Sequence, residues 1–101
     1  SREMSPIDWN KNARTIVNKV RGLIPWPCAT TDVAGARWKV YRAEPAEATD
    51  RAPGTILSAD KAGIVVAAGE GTSLRITDLQ PDAARPIAAA DYLRGHPVSL
   101  G

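Results

Sequence analysis

The chain has 101 residues, 44% of them hydrophobic and 24% charged, which is enough for one modest core and too little for a catalytic and a regulatory domain together. Its longest apolar run, Ile64 to Ala68, falls far short of the roughly 20 residues a bilayer-crossing helix needs, so no membrane-spanning helix is expected. One cysteine and one histidine exclude an internal disulfide and the usual metal sites.

Net charge is only +2, but it is unevenly placed. Through Arg42 eight basic residues face three acidic ones, giving +5, whereas the remainder carries five against eight, giving −3. Such asymmetry steers a polyanion to one side of a molecule.

Ser1 to Pro6 is polar, carries no hydrophobic period and reads as a linker remnant, so the domain proper is expected over 7–101. Asn10 is placed to cap a helix from Lys11 to Arg21, and Gly22 to end it through left-handed backbone angles. Ala13, Ile16, Val17 and Val20 fall on one helical face, and Lys11, Arg14, Asn18 and Arg21 on the other. Pro25-Trp26-Pro27 stops any continuation, because each proline fixes its own φ and disfavours helix in the residue before it.

From Ala29 the period changes to two, the signature of strands. Ala29 to Val33 and Arg37 to Ala43 flank Ala34-Gly35-Ala36 as a hairpin, with Trp38 and Val40 opposing Arg37, Lys39 and Tyr41. Glu44 to Pro53 lacks alternation and reads as a surface loop. Gly54 to Ser58 and Ile64 to Ala68 are joined at Ala59 to Gly63 in a bulged hairpin. Gly69-Glu70-Gly71 reverses the chain into Ser73 to Leu79. Gln80 to Pro86 leads to a short helix over Ala88 to Arg94, ended by Gly95, with Ala88 a poor cap. A helix, five strands and a closing helix predict a mainly β domain with flanking helices, a small, partly open β-barrel of the oligonucleotide-binding kind.

No segment has the makings of an active site. Leu74 stands where a phosphate-binding loop would need a third glycine, and a strand follows rather than a helix. Cys28 and His96 are distant in sequence and share no motif, and Asp60, Lys61 and Asp91 have the character of turn and surface residues. What remains is the basic helix face together with Arg37, Lys39, Tyr41 and Arg42. Several cations on one surface suit a polyphosphate backbone and aromatics suit base stacking, although solvated charge is the ordinary role of such residues.

Ile7-Asp8-Trp9, the stretch from Ile16 through Gly22-Leu23-Ile24 to Pro27, the run from Ala52 to Gly71, Leu79-Gln80-Pro81 and Ala89 to Gly95 together resemble the C-terminal domain of methionyl-tRNA formyltransferase. The resemblance covers nearly the whole chain. It implies an enzyme that passes a formyl group from 10-formyltetrahydrofolate to the amino group of methionine on initiator tRNA in translation initiation, in the cytoplasm. The Asn, His and Asp that carry this chemistry in the family belong to an N-terminal catalytic domain that no segment here matches, so the chain alone is expected to be inactive, with no metal and no bound cofactor. Its implied partners are the acceptor arm of initiator methionyl-tRNA and that catalytic domain.

On this reading Arg14, Lys19, Arg21, Arg37, Lys39 and Arg42 are the candidates for contact with the tRNA backbone, with Arg85 and Arg94 secondary. The chain departs from the family at Cys28, where glycine is frequent, and at Thr30, where an aromatic is. It departs again at Ala83-Ala84-Arg85-Pro86 and Ala88, where paired lysines and a capping serine are common. Two alternatives remain open: an accessory barrel of a formyltransferase acting on a sugar nucleotide or carrier-bound amino acid, and a protein-interaction module.

Overall fold

The computed structural model describes residues 5–24, 28–32, 37–81 and 85–101. The Pro25-Trp26-Pro27 block, Val33, the Ala34-Gly35-Ala36 turn and the Ala83-Ala84 departure lie outside the described residues, as do Ser1 to Met4.

In chain order the elements are β1 (Ser5–Pro6), α1 (Ala13–Gly22), β2 (Ala29–Thr31), β3 (Trp38–Pro45), β4 (Ile56–Asp60), β5 (Gly63–Ala67), β6 (Ser73–Pro81), β7 (Ile87–Ala88) and α2 (Ala89–Gly95). The strands form one sheet in the order β1-β2-β3-β6-β5-β4, with β7 paired to β6 beyond the end of β5. The expectation of a mainly β domain with flanking helices is met, and the sheet is open between its outer strands β1 and β4. Ser5–Pro6, at the end of the stretch read as linker, pairs in parallel with β2.

The core is built by alternation. Val40, Ile64, Val66, Leu74, Ile76 and Leu79 are fully buried from β3, β5 and β6, and Ile56 joins them from β4. The helix α1 closes one side with Ala13, Ile16, Val17 and Val20, the face its periodicity predicts. On α2 the ring of Tyr92 meets Trp38 edge to face, centroids 5.4 Å apart, and stacks on His96 at 4.4 Å. Such aromatic pairs contribute about 0.5 to 1.5 kcal/mol beyond their buried area.

Several local expectations are corrected. The cap of α1 is Asn12, whose Oδ1 accepts from the Thr15 backbone N–H at 2.9 Å. Asn10 instead donates its backbone N–H to the Asp8 carboxylate at 3.0 Å, closing a turn two residues earlier. Asn12 is selected from a distance: its Nδ2 donates to Glu70 at 3.2 Å, and the next backbone N–H, of Ala13, donates to Thr72 Oγ1 at 2.8 Å. Gly22 and Gly95 do not end their helices through left-handed angles. Each is the last helical residue, followed by Leu23 at φ −103° and His96 at φ −139°.

The loop expected from Glu44 begins later, because β6 pairs with β3 through Glu44↔Arg75 and Pro45↔Leu74. The turn of the β4–β5 hairpin is tight, with Asp60 paired to Gly63 and Asp60 Oδ1 accepting from the Ala62 N–H at 2.8 Å. Its irregularity lies between Ile56 and Ser58 rather than in the turn.

Candidate nucleic-acid interface

The strand β3 departs from strict alternation at one place, and that place organises the outer surface. Val40 pairs with Leu79, Arg42 with Asp78 and Ala43 with Ile76. One extra residue on β3, Tyr41, is thus followed by one extra residue on β6, Thr77. An inserted residue shifts which face later side chains take. Val40 and Ala43 are both buried, and the two residues between them, half-buried Tyr41 and exposed Arg42, stand away from the core. Strict period two would have turned Arg42 inward.

This bulge lies opposite the C-terminal end of α1, and a cleft of about 480 Å³ opens between them. Buried Val20 and Ala43, with half-buried Ile24, give it apolar walls, while Arg21, Arg42, Tyr41 and Glu44 supply its polar ones. Arg42 is 79% exposed, its Nε 4.0 Å from Asp78, an exposed pair of the kind that contributes little and exchanges readily. Glu44 is held across the sheet by Arg75, Nη1 to Oε2 at 3.1 Å.

Among the other sequence-derived candidates, Lys19, Arg37 and Lys39 gather at the β1–β2–β3 end. Pro6 pairs with Thr30, and Thr30 with Lys39, in one ladder row. Lys19 Nζ donates to the Pro6 carbonyl at 3.1 Å. Arg37 borders a smaller hollow of about 110 Å³ with Trp9 and Asp32, where Trp9 Nε1 donates to Thr31 Oγ1 at 3.0 Å. Arg14 is exposed on α1.

Arg85 and Arg94 are not brought to either hollow. Arg85 is exposed just before β7, and Arg94 is on α2, 81% exposed and paired with Asp91 at 3.2 Å. Two cations that sequence reasoning passed over, Arg51 and Arg75, border a further cleft of about 370 Å³ with Thr49 and Ser58. Arg75 sits between two apolar strand residues, Leu74 and Ile76, and that alternation was the signal for its outward face.

Cys28 is buried and has φ +70°, the left-handed region. Its backbone N–H donates to the Leu23 carbonyl at 2.9 Å. Burial raises the thiol pKa, and the nearby Lys39 ammonium partly opposes that rise. Such a left-handed position is one that glycine takes at least cost. Among the described residues, no group of three or more His, Cys, Asp or Glu side chains is arranged to hold a metal ion. No described helix is long and apolar enough to cross a membrane.

An open sheet flanked by two helices, with cations exposed on α1 and β3, defines a small, mainly β domain. The chain belongs to the family of formyl transferase C-terminal domains, whose family model matches residues 1–97. It is 44% identical over 101 residues to a methionyl-tRNA formyltransferase of Bacillus velezensis, covering 99% of this chain and 32% of that protein. It is 47% identical over 95 residues to one of a Geobacillus strain, covering 93% and 30%. The resemblance read from the sequence is borne out, and the chain spans about a third of the length of the curated relatives it matches. A solved structure of HypX from Aquifex aeolicus in complex with tetrahydrofolic acid shares the fold, with a TM-score of 0.75 and 21% identity over 95% of this chain and 18% of that one.

Proposed function

We propose that this chain is the tRNA-binding accessory domain of a cytoplasmic methionyl-tRNA formyltransferase, presenting a cationic surface to the acceptor arm of initiator methionyl-tRNA. The observation that carries this reading is the match over nearly the whole chain to proteins of that activity. The exposed cations of α1 and β3 support it independently. The formyl group travels from 10-formyltetrahydrofolate to the methionyl amino group in the parent enzyme's catalytic domain. The present domain contributes binding and orientation, and by itself is inactive.

The role of the cations is electrostatic. Arg14, Lys19, Arg21, Arg37, Lys39 and Arg42 are the backbone contacts, and Arg85 and Arg94 are peripheral because α2 carries or closely follows them. If five of the six engage a phosphate each, binding falls with salt at a logarithmic slope of roughly −4.5, a loss of several hundredfold between about 50 and 200 mM. The test is equilibrium binding of the chain to an initiator-tRNA acceptor-arm hairpin across that range, with Lys39→Glu/Arg42→Glu as the comparison. The double variant is expected to bind more weakly and with a shallower slope. Salt-independent binding, or a variant that binds as well as the parent, refutes the assignment.

A further inference from the structure

The cleft between α1 and the β3 bulge has more in it than a phosphate clamp requires. Phosphate contact needs cations and water; it has no use for the apolar walls supplied by Val20, Ile24 and Ala43 or for a carboxylate. Two guanidiniums, an aromatic ring, apolar walls and a fixed acceptor form the combination that holds a nucleotide out of a helix. The backbone is neutralised, the base stacks, and its edge is read.

We propose that this cleft binds one unpaired nucleotide of the RNA. The ring of Tyr41 stacks on the base, Arg21 and Arg42 take the adjoining phosphates, and Glu44 accepts from the base edge. The inference rests on the RNA reading above and deepens it. Tyr41 owes its place to the bulge, since it has no Cα partner on β6 while Val40 and Arg42 on either side of it do. The Arg42 guanidinium meets Asp78 at 4.0 Å, an exposed pair whose exchange for a phosphate costs little. Arg75 is the positioning residue: by holding one oxygen of Glu44 at 3.1 Å it fixes the carboxylate while leaving acceptor capacity. An ionised carboxylate accepts and cannot donate, so it favours a base with an exocyclic amino group over uracil.

The experiment compares the chain's affinity for two RNA hairpins, one blunt-ended and one with an unpaired adenosine- and cytidine-containing 3′ extension. Tyr41→Ala is expected to weaken binding of the extended hairpin roughly 5- to 150-fold, the range that alanine substitution gives for base stacking. Binding of the blunt hairpin changes by less than about twofold, because its term is the phosphate one. Tyr41→Phe keeps the affinity of the parent, and the Tyr41 ring protons of the parent shift upfield only with the extended hairpin. Replacing the extension by uridines weakens binding to the parent, and Glu44→Gln narrows that difference.

If Tyr41→Ala weakens both hairpins equally, or neither, while the parent binds RNA with the expected salt dependence, the nucleotide cleft is overturned and the cationic surface stands. If the parent binds neither hairpin at low salt, the RNA reading falls and the cleft assignment with it. Ring-proton shifts that appear equally with the blunt hairpin also overturn the assignment.

Discussion

Gly69→Ala tests how the helix that carries Arg21 is fixed to the sheet. A Cβ at position 69 would lie 1.8 Å from the Asn10 carbonyl oxygen and 2.5 Å from its carbon, both backbone atoms. To reach even the 3.0 Å below which Cβ contacts essentially do not occur, the segment before α1 must retreat by about 1.2 Å. That segment is tied to the turn by the Gly69 N–H donating to the Lys11 carbonyl and the Ala13 N–H donating to Thr72 Oγ1, both at 2.8 Å. Thr72 is itself held by donating to the Gly69 carbonyl at 2.7 Å. Overpacking costs about 1 to 3 kcal/mol, and each strained hydrogen bond about 1 kcal/mol more. A loss of about 3 kcal/mol lowers the melting temperature of a domain this size by roughly 10 to 25 °C. The measurement is a thermal melt followed by circular dichroism, with Gly22→Ala as its counterpart. A Cβ at Gly22 meets nothing within 4 Å, and its residue is helical, so that variant is expected to gain about 0.5 to 1 kcal/mol. A Gly69→Ala melt within about 2 °C of the parent would refute the reasoning, since the contact would then relax at no cost.

Other consequences are tested more briefly. Cys28→Gly relieves a left-handed backbone worth about 1 to 2 kcal/mol while giving up a small buried side chain, so it is expected to be near neutral, whereas Cys28→Ala keeps the strain, loses the sulfur and melts lower. Because burial raises the Cys28 pKa, the folded state holds its proton where the unfolded chain has lost it. Its stabilisation is therefore complete below the ordinary thiol range and is lost as pH rises through the raised value. Denaturant midpoints measured across that alkaline range should fall more steeply for the parent than for Cys28→Gly. Arg94→Ala removes an exposed pair with Asp91 and is expected to change stability by less than about 0.5 kcal/mol and to leave RNA affinity within about twofold, the loss of roughly one phosphate contact at most; a larger drop in a filter-binding titration would place α2 inside the interface.

The buried faces of α1, β3, β5 and β6 were legible because a period of 3.6 or 2 records which side of an element meets the core. The cap of α1 was not. Asn10 and Asn12 are chemically equal candidates two residues apart, and the choice falls to Glu70 and Thr72, nearly sixty residues away, which engage Asn12 and Ala13. Gly22 and Gly95 misled for a related reason. Glycine permits a left-handed residue without requiring one, and at both places the chain leaves the helix through a non-glycine residue at negative φ. Glu44 and Pro45 carry no strand signal of their own; their extended form comes from the pairing with Arg75 and Leu74.

The candidate site divides along the same line. That Lys39 and Tyr41 share a face follows from alternation, and that Arg21 is exposed follows from helical spacing. Bringing Arg42 to that surface takes two compensating irregularities, one on β3 and one on β6, and a shift that needs both strands cannot be read from either. Had β3 kept its period, Arg42 would point into the core among Val40 and Leu79, where an unpaired guanidinium costs several kcal/mol. The sequence avoids that cost by inserting Tyr41, and the same insertion sets an aromatic ring beside the displaced cation. The bulge thus satisfies a folding constraint and creates the Tyr41–Arg42 pair in one step. Substitutions that regularise β3 should accordingly disturb stability and RNA binding together, whereas Arg21→Ala, on an exposed helix position, should disturb binding alone.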